Sequence, residues 1–316
     1  MHSFCLEYQT MTKSLYLGVP FNSGQPHVGT AKAPQLFREV NRDMFSFQNW
    51  TDLGLVHTPC YGGREAAIEH AFALSEFIKN LKLKNSFLSI VGGDHGQALG
   101  TLHGLLTHYP QLIVVWIDAH ADANTPTSSP SGNMHGMPLS WLMGSKDGAP
   151  WWIEKTLRPK NLLYIGVRDM DPYEKMLIEE LDIPFISPKE AMGPGLEHLI
   201  KKQLSKMDPS GKVPVHISFD VDALDSESIE CTGTRVSGGL DRECVESIFK
   251  TLKENRKIVS TEIVEINPDL GQLSEARDLC RWSKDLLEIV RPQSQSRWLY
   301  AARKIDEKIF HRPRTF

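Results

Sequence analysis

Short apolar runs recur along the chain at Ser14–Val19, Phe87–Val91, Leu112–Ile117, Leu162–Val167, Pro184–Ile186, Val215–Phe219 and Ile258–Ile266. They are of strand length and strand composition, and the stretches between them are long enough for crossover helices, an alternation that implies a parallel sheet. Between the first two runs, Ala66–Leu83 places Ala71, Leu74, Ile78 and Leu81 at helical spacing, with Glu76, Lys79 and Asn80 off that stripe. This predicts an amphipathic helix lying on a sheet face. Arg242–Glu254 and Ser274–Arg291 read as two more helices, the second with Ala276, Leu279, Trp282, Leu286 and Ile289 on its apolar side. These stripes read as core packing rather than as binding surfaces.

At 316 residues the chain is long for one domain, but α/β folds of this size commonly form a single unit. The expectation is one α/β domain with its core over about residues 14–290 and a C-terminal tail, 291–316, of uncertain role. No repeat, low-complexity segment or linker-like shift in composition divides it. The formal net charge of −4 supplies no basic field for nucleic acid. Five cysteines, Cys5, Cys60, Cys231, Cys244 and Cys280, are scattered and odd in number, which suits a reducing compartment rather than a disulfide framework. No run approaches the ~20 apolar residues of a membrane span, and Met1–Lys13 lacks a charged start followed by an apolar core. A cytoplasmic protein without membrane contact is expected.

Three of the apolar runs end in clusters of acidic residues and histidine: Gly92-Gly93-Asp94-His95, Asp118-Ala119-His120-Ala121-Asp122 and Asp220-Val221-Asp222. If the strand period persists past Ile117, then Asp118, His120 and Asp122 point to one face. The carboxyl ends of strands are where open parallel sheets place their sites. Four carboxylates gathered there repel one another unless a cation is present, and two divalent ions would neutralise them. With two imidazoles and no nearby thiol, the donor set argues against structural zinc and for a harder ion such as manganese. Such a pair, roughly 3.5–4 Å apart, can share one hydroxide and generate it at moderate pH. Taken alone, a strand-end Asp-Val-Asp or Gly-Gly-Asp-His is usually a loop cap; the three together point to a hydrolytic two-metal site.

The longest stretch without periodicity, Ala123–Gly136, follows the second cluster directly. Long loops in compact domains tend to carry function. Its Asn124, Ser129, Ser131 and Asn133 offer short neutral hydrogen-bonding groups suited to a polar ligand such as a carboxylate; a solvated loop rich in turn formers is the bland alternative.

These motifs resemble those of the arginases in the ureohydrolase family. The likeness rests on the three clusters, on Asn124-Thr125-Pro126 through Ser131-Gly132-Asn133-Met134-His135-Gly136, and on Arg168-Asp169-Met170-Asp171-Pro172-Tyr173-Glu174. It rests also on Ser218-Phe219, Thr232-Gly233-Thr234, Glu265-Ile266-Asn267-Pro268, and Gly24-Gln25-Pro26 through Arg38. The resemblance implies a three-layer α/β/α fold with a mostly parallel sheet and a binuclear manganese centre. One ion would be held by His95, Asp118, Asp122 and Asp220, the other by His120, Asp118, Asp220 and Asp222, with Asp118 and Asp220 bridging. It implies hydrolysis of L-arginine to L-ornithine and urea by attack of a metal-bridging hydroxide on the guanidinium carbon. Asp122, His135 and Glu265 would be catalytic: Glu265 accepting from the guanidinium, Asp122 moving the proton to the departing amine, His135 shuttling protons to solvent. Asn124, Ser129, Ser131 and Asn133 would contact the α-carboxylate and Asp171 the α-ammonium, with Glu174 and Thr234 completing the substrate site. A homo-oligomer is implied too, trimers being common in the family.

The chain also departs from the family pattern. The run Asp225–Cys231 replaces a proline-containing stretch, Arg235 stands where proline is common, Gly96 where serine is frequent and Ser129 where threonine is common. The segment 297–316 does not resemble the family's ending. Two other readings stay open: a ureohydrolase acting on agmatine or another guanidino compound, and a catalytically silent metal-binding protein in which the region Glu230–Arg235 blocks substrate.

Overall fold

In the computed structural model, which describes residues 13–46, 50–56, 63–154 and 156–292, eight strands form one sheet. They are β1 (Lys13–Val19), β2 (Thr51–Leu55), β3 (Ser86–Gly92), β4 (Ile113–Ile117), β5 (Leu162–Ile165), β6 (Phe185–Ile186), β7 (Val215–Asp220) and β8 (Ile258–Val264). Their order is β2-β1-β3-β8-β7-β4-β5-β6 and every neighbouring pair is parallel. The expectations for Cys5, Cys60, the N-terminal stretch before Lys13 and the tail fall outside the described residues.

Among the described residues ten helices connect and cover the strands: α1 (Ala33–Val40), α2 (Arg42–Ser46), α3 (Gly63–Asn80), α4 (Ala98–His108), α5 (Pro138–Leu142), α6 (Pro172–Glu180), α7 (Pro188–Ala191), α8 (Leu196–Met207), α9 (Arg242–Asn255) and α10 (Leu273–Val290). The sheet is buried on both faces, as alternate residues of β4 show. Val114 and Trp116 pack with Leu74 and Ile78 of α3 and Leu99 and Leu102 of α4. Ile113, Val115 and Ile117 pack with Ile200 of α8, Ile248 and Phe249 of α9 and Leu279 and Leu286 of α10. The result is the expected α/β/α sandwich. Each fully buried aliphatic or aromatic side chain contributes roughly 1.5–3 kcal/mol, and this apolar body supports the charged groups that the strand ends bury.

One strand escapes the sequence pattern. Thr51-Asp52-Leu53-Gly54-Leu55 carries an acid and a glycine, and only as an edge strand can it do so: its burial is partial, and Asp52 pairs with Arg38 at 2.6 Å. The predicted helices appear with shifted ends. The stripe of α3 buries Ala71, Leu74 and Ile78, while Leu81 lies just past its end and is only partly buried.

Candidate metal centre and substrate cleft

The acidic clusters meet because β3, β8, β7 and β4 are adjacent and parallel, so their carboxyl ends share one edge of the sheet. Register does the rest. Ile117 pairs with Phe219 and Phe219 with Ile263, so Asp118 and Asp220, each one residue further, emerge side by side. At the end of β3, Gly93 has no room for a side chain, because a Cβ there would overlap the Phe21 backbone. Its carbonyl accepts the Glu265 amide at 2.9 Å, which draws the end of β8 against the Gly-Gly-Asp-His turn. Asp94 caps that turn by accepting from the Gly96 amide, and His95 follows inside.

The strand period does not carry through Asp122, contrary to the expectation from spacing alone. β4 ends at Ile117, His120 makes an isolated bridge to Asp169, and Asp122 adopts a left-handed backbone with φ of 48°. Aspartate tolerates that region better than most residues. The turned segment is pinned: the Tyr164 hydroxyl donates to the Ala121 carbonyl at 2.7 Å, the Ala123 amide to Glu174 Oε1 at 2.9 Å, and the Leu139 amide to the Asp122 carbonyl at 3.0 Å. Glu265 also has a positive φ, 66°. Two of the four described non-glycine residues with positive φ thus lie at the site, while Asn85 and Asp182 lie in turns elsewhere.

All six predicted metal ligands come together. His95 Nδ1 lies 2.9 Å from Asp118 Oδ2 and 3.2 Å from both Asp122 Oδ2 and Asp220 Oδ2. His120 Nδ1 lies 3.1 Å from Asp222 Oδ2 and 3.5 Å from Asp118 Oδ1. Potential donor atoms of His95, Asp118 and Asp122, and of Asp118, His120 and Asp222, cluster tightly enough for one ion each, with Asp118 common to both groups.

Behind His95 is a buried polar chain hidden within an otherwise apolar run. His95 Nε2 is 2.8 Å from Ser218 Oγ, and that hydroxyl donates to Glu262 Oε1 at 2.8 Å. His216 and Gln97 also contact the Glu262 carboxylate, at 3.3 and 3.2 Å. Burial raises the pKa of Glu262, but the hydrogen bond and charge of His216 and the charge of His95 outweigh it and hold the group down at about 2. A carboxylate only accepts, so Ser218 gives its proton to Glu262 and must accept from His95 Nε2–H. With a cation bound the ring would be neutral and its Nδ1 lone pair would face three carboxylate oxygens; without one, burial disfavours the charged ring but the carboxylates of Asp118, Asp122 and Asp220 outweigh it and raise the His95 pKa well above the ordinary imidazole value. Despite the short distances, His95 Nδ1 and Asp118 Oδ2 are buried without hydrogen-bond partners. Lone pairs converging on lone pairs in a buried space suit a bound cation, and the carboxylate-rich donor set suits divalent ions. The Trp116 ring stacks on His95 with centroids 3.9 Å apart and fixes its plane.

Next to the ligands opens a cleft of about 240 Å³, lined by His120, Asp122, His135 and all seven predicted substrate residues, Asn124, Ser129, Ser131, Asn133, Asp171, Glu174 and Thr234. A larger hollow, about 560 Å³, lies between residues 191–201 and 241–247, but it contains none of the clustered ligands; chemistry favours the smaller one. The cleft's loop is tied in place beforehand. Asn124 Nδ2 donates to Asp171 Oδ2 at 2.8 Å, Ser128 Oγ donates to Asn124 Oδ1, and the Gly132 and Asn133 amides donate to Ser129 and Ser131. Glu174 acts as a brace as well as a wall, since its two oxygens accept from the Ala123 and Asp171 amides. Thr234 Oγ1 donates to Asp222 Oδ2 at 3.0 Å, linking cleft and ligand. His135 Nδ1 is 3.4 Å from Glu265 Oε1. Burial disfavours the charged imidazole, but the Glu265 carboxylate outweighs that and pushes its pKa up to about 9.

The divergent residues Glu230 and Arg235 do not line this cleft. The Glu230 amide donates to Glu275 of α10 at 2.7 Å, and Arg235 Nη1 donates to the Ile229 carbonyl at 3.2 Å. Sequence reasoning gave no role to Gln25, Asp94, Gln97, Ser218, His216 or Glu262. A glutamate amid the apolar letters of Ile258–Ile266 was the available signal for the last. Cys231, Cys244 and Cys280 are free and buried.

The Arginase family model matches residues 13–280. An arginase of Schizosaccharomyces pombe is 32% identical over 285 residues, covering 84% of this chain and 88% of that protein. The solved structure of an arginase from Bacillus caldovelox aligns with a TM-score of 0.78 at 28% identity, over 90% of this chain and 99% of the other. An Entamoeba histolytica arginase in complex with L-ornithine aligns with a TM-score of 0.75 at 28% identity, over 86% and 98%. No described helix is long and apolar enough to cross a membrane.

Proposed function

The chain belongs to the arginase family, and from that premise we propose that it hydrolyses L-arginine to L-ornithine and urea with the help of two divalent cations, manganese by preference. The observation that carries the reading is one cleft lined both by the ligand candidates His120 and Asp122 and by the polar loop Asn124–Asn133. Guanidinium chemistry and recognition of an amino-acid end are thereby joined in a single site.

A guanidinium is cationic and resonance-stabilised, hence a poor electrophile, and it needs a strong nucleophile held close. His95, Asp118, Asp122 and Asp220 would hold one cation and His120, Asp118, Asp220 and Asp222 the other, and the pair would supply an activated water at moderate pH. Glu265 accepts the guanidinium N–H groups in charge-assisted hydrogen bonds and sets the carbon before the nucleophile. The Asp122 carboxylate takes the proton released by the attacking water and returns it to the departing amine. His135, in contact with Glu265 and lining the cleft, exchanges protons between the site and solvent. Asn124, Ser129, Ser131 and Asn133 take the α-carboxylate and Asp171 the α-ammonium, with Glu174 and Thr234 holding their surroundings. Because these groups would be left unpaired by a ligand without the amino-acid end, agmatine should be a poor substrate.

The test is urea release from L-arginine, agmatine and guanidinobutyrate by the manganese-loaded protein. Release from arginine in clear preference supports the reading. Release from agmatine but not arginine would replace it with the other guanidino chemistry, and no urea from any of the three would favour a silent metal-binding protein.

A further inference from the structure

The side chain of Gln25, on the loop after β1, is only 7% exposed and has no part in the chemistry above. Its Nε2 lies 2.7 Å from each oxygen of Glu265 and 3.3 Å from His135 Nδ1. Because a carboxylate only accepts, it is the amide nitrogen that must face it. The two amide hydrogens diverge too widely to reach the two oxygens of one carboxylate separately. One N–H therefore straddles the carboxylate, and the other can be accepted by His135 Nδ1 only while that nitrogen is unprotonated.

The two oxygens of Glu265 are held unequally. Oε1 also accepts the His95 amide at 2.8 Å and lies 3.4 Å from His135 Nδ1. Among the described residues, Oε2 receives a hydrogen bond from Gln25 alone. A carboxylate held by one oxygen can still turn about its terminal bond, so Gln25 is the group that fixes the plane of Glu265. Gln25 is itself anchored. The Gly24 amide donates to Asp94 Oδ2 at 2.9 Å, the Gly24 carbonyl accepts the His135 amide at 3.2 Å, and a side chain at Gly24 would overlap Asp94. Gln25 Oε1, by contrast, is buried without a partner and lies 3.2 Å from where a Cβ on Gly233 would stand. A glutamine left half satisfied in a buried place is costly, and the half that is satisfied is the half on Glu265.

We propose that Gln25 is a positioning residue for guanidinium recognition: its amide sets the carboxylate plane of Glu265 so that both oxygens meet the planar guanidinium edge. Being neutral, it does this without cancelling the charge that attracts the cation; a lysine or arginine at this place would occupy Glu265 outright. The inference rests on the reading of the site as one that binds a guanidinium.

The test compares the wild-type protein with Gln25→Ala and Gln25→Asn, both manganese-loaded. It measures KM and kcat for L-arginine and competitive inhibition by guanidinium ion and by L-ornithine, which has the amino-acid end and no guanidinium. Gln25→Ala should weaken arginine and guanidinium on the order of tenfold, as loss of a charge-assisted hydrogen bond does. Inhibition by ornithine and the manganese content should stay within about twofold. Equal losses for guanidinium and ornithine, or no loss for either, would overturn the proposal. If Gln25→Ala does not fold, Gln25→Asn, which keeps the amide but falls short of Glu265, is held to the same criterion; if neither folds, the role is structural and the proposal falls. Should the wild-type protein prefer another guanidino compound, the arginine reading fails while the Gln25 comparison is made with that compound.

Discussion

The guanidinium of Arg168 donates to the backbone carbonyl of Asp222 at 3.0 Å, so the proposed metal ligand is held from behind by a cation on the segment after β5, two strands along the sheet from β7. The same side chain donates to the carbonyls of Gly166, Ala223, Leu224, Val236 and Ser237 at 2.8–3.2 Å. It thereby clamps both ends of the 222–240 loop, which brings Thr234 to Asp222. Lysine cannot reproduce this fork of planar donors.

Arg168→Lys should therefore lower stability by roughly 2–4 kcal/mol. The cation on the Asp222 and His120 side should be lost before its neighbour. Thermal melting and metal content by elemental analysis check this together, and a variant that binds both ions at wild-type affinity would show that the clamp does not serve the ligand.

In the manganese-loaded protein Ser218 and Glu262 would fix the tautomer of His95, holding the proton on Nε2 and leaving Nδ1 unprotonated toward the cluster. Ser218→Ala removes the acceptor of Nε2–H, and Glu262→Gln removes the charge that gives the chain its direction. Groups of this kind, one step behind a ligand, typically change metal affinity 10- to 100-fold. Calorimetric manganese titration should show a loss of about that size in either variant, and ring-nitrogen NMR should show mixed tautomers at His95. A single unchanged tautomer in Glu262→Gln would refute the directional argument.

Stability of the metal-free protein should fall as pH rises through neutrality. Burial, then the charge of Glu265, pushes Asp94 up to about 7, and burial, then the charge of Asp118, pushes Asp122 up to about 6. Asp220 and Asp222 shift the same way, burial leading. In the unfolded chain these acids ionise near ~3.9, so above that pH the folded state holds protons that the unfolded state has released. The slope of stability against pH is then negative. His135, raised to about 9, prolongs the decline, since its contribution is complete below ~6.5 and gone above its folded value. Asp118 and Glu262, both lowered, act in the other direction, but only in more acid solution. Melting of the chelated protein should drop between about pH 5 and pH 8, and added manganese should raise it more at the higher pH. A chelated protein that gains stability across that range would contradict the sign.

The six ligand candidates were legible because two strong local signals coincide, an apolar strand and an acidic end, and a parallel sheet brings such ends to one edge. What was not legible depends on partners distant in the chain. Glu262 reads as a blemish in an apolar run until Ser218, His216 and Gln97 arrive from elsewhere in the sequence to surround it. Gln25 meets Glu265 across 240 residues. The left-handed turn at Asp122 breaks a spacing argument that assumed a continuing strand, because Tyr164, Glu174 and Leu139 pull the chain aside. Thr51–Leu55 forms a strand despite its letters because an edge asks for pairing on one side only.

Asp122 and His135 should differ in what their loss does. Asp122 Oδ2 sits 3.2 Å from His95 Nδ1 inside the ligand cluster and, in the proposed reaction, both holds a cation and moves the proton, so no other group takes its place. Asp122→Asn removes a charge from the ligand set and the base together, and turnover should fall at least ~10³-fold, with weaker manganese binding. His135 stands outside the ligands and only relays protons, a task that water and buffer can share. His135→Asn should keep on the order of a hundredth to a tenth of the rate, with metal content unchanged. A small imidazole-type buffer should restore part of it. Equal losses in the two variants, or rescue of Asp122→Asn by buffer, would mean that the proton path runs differently from the one described.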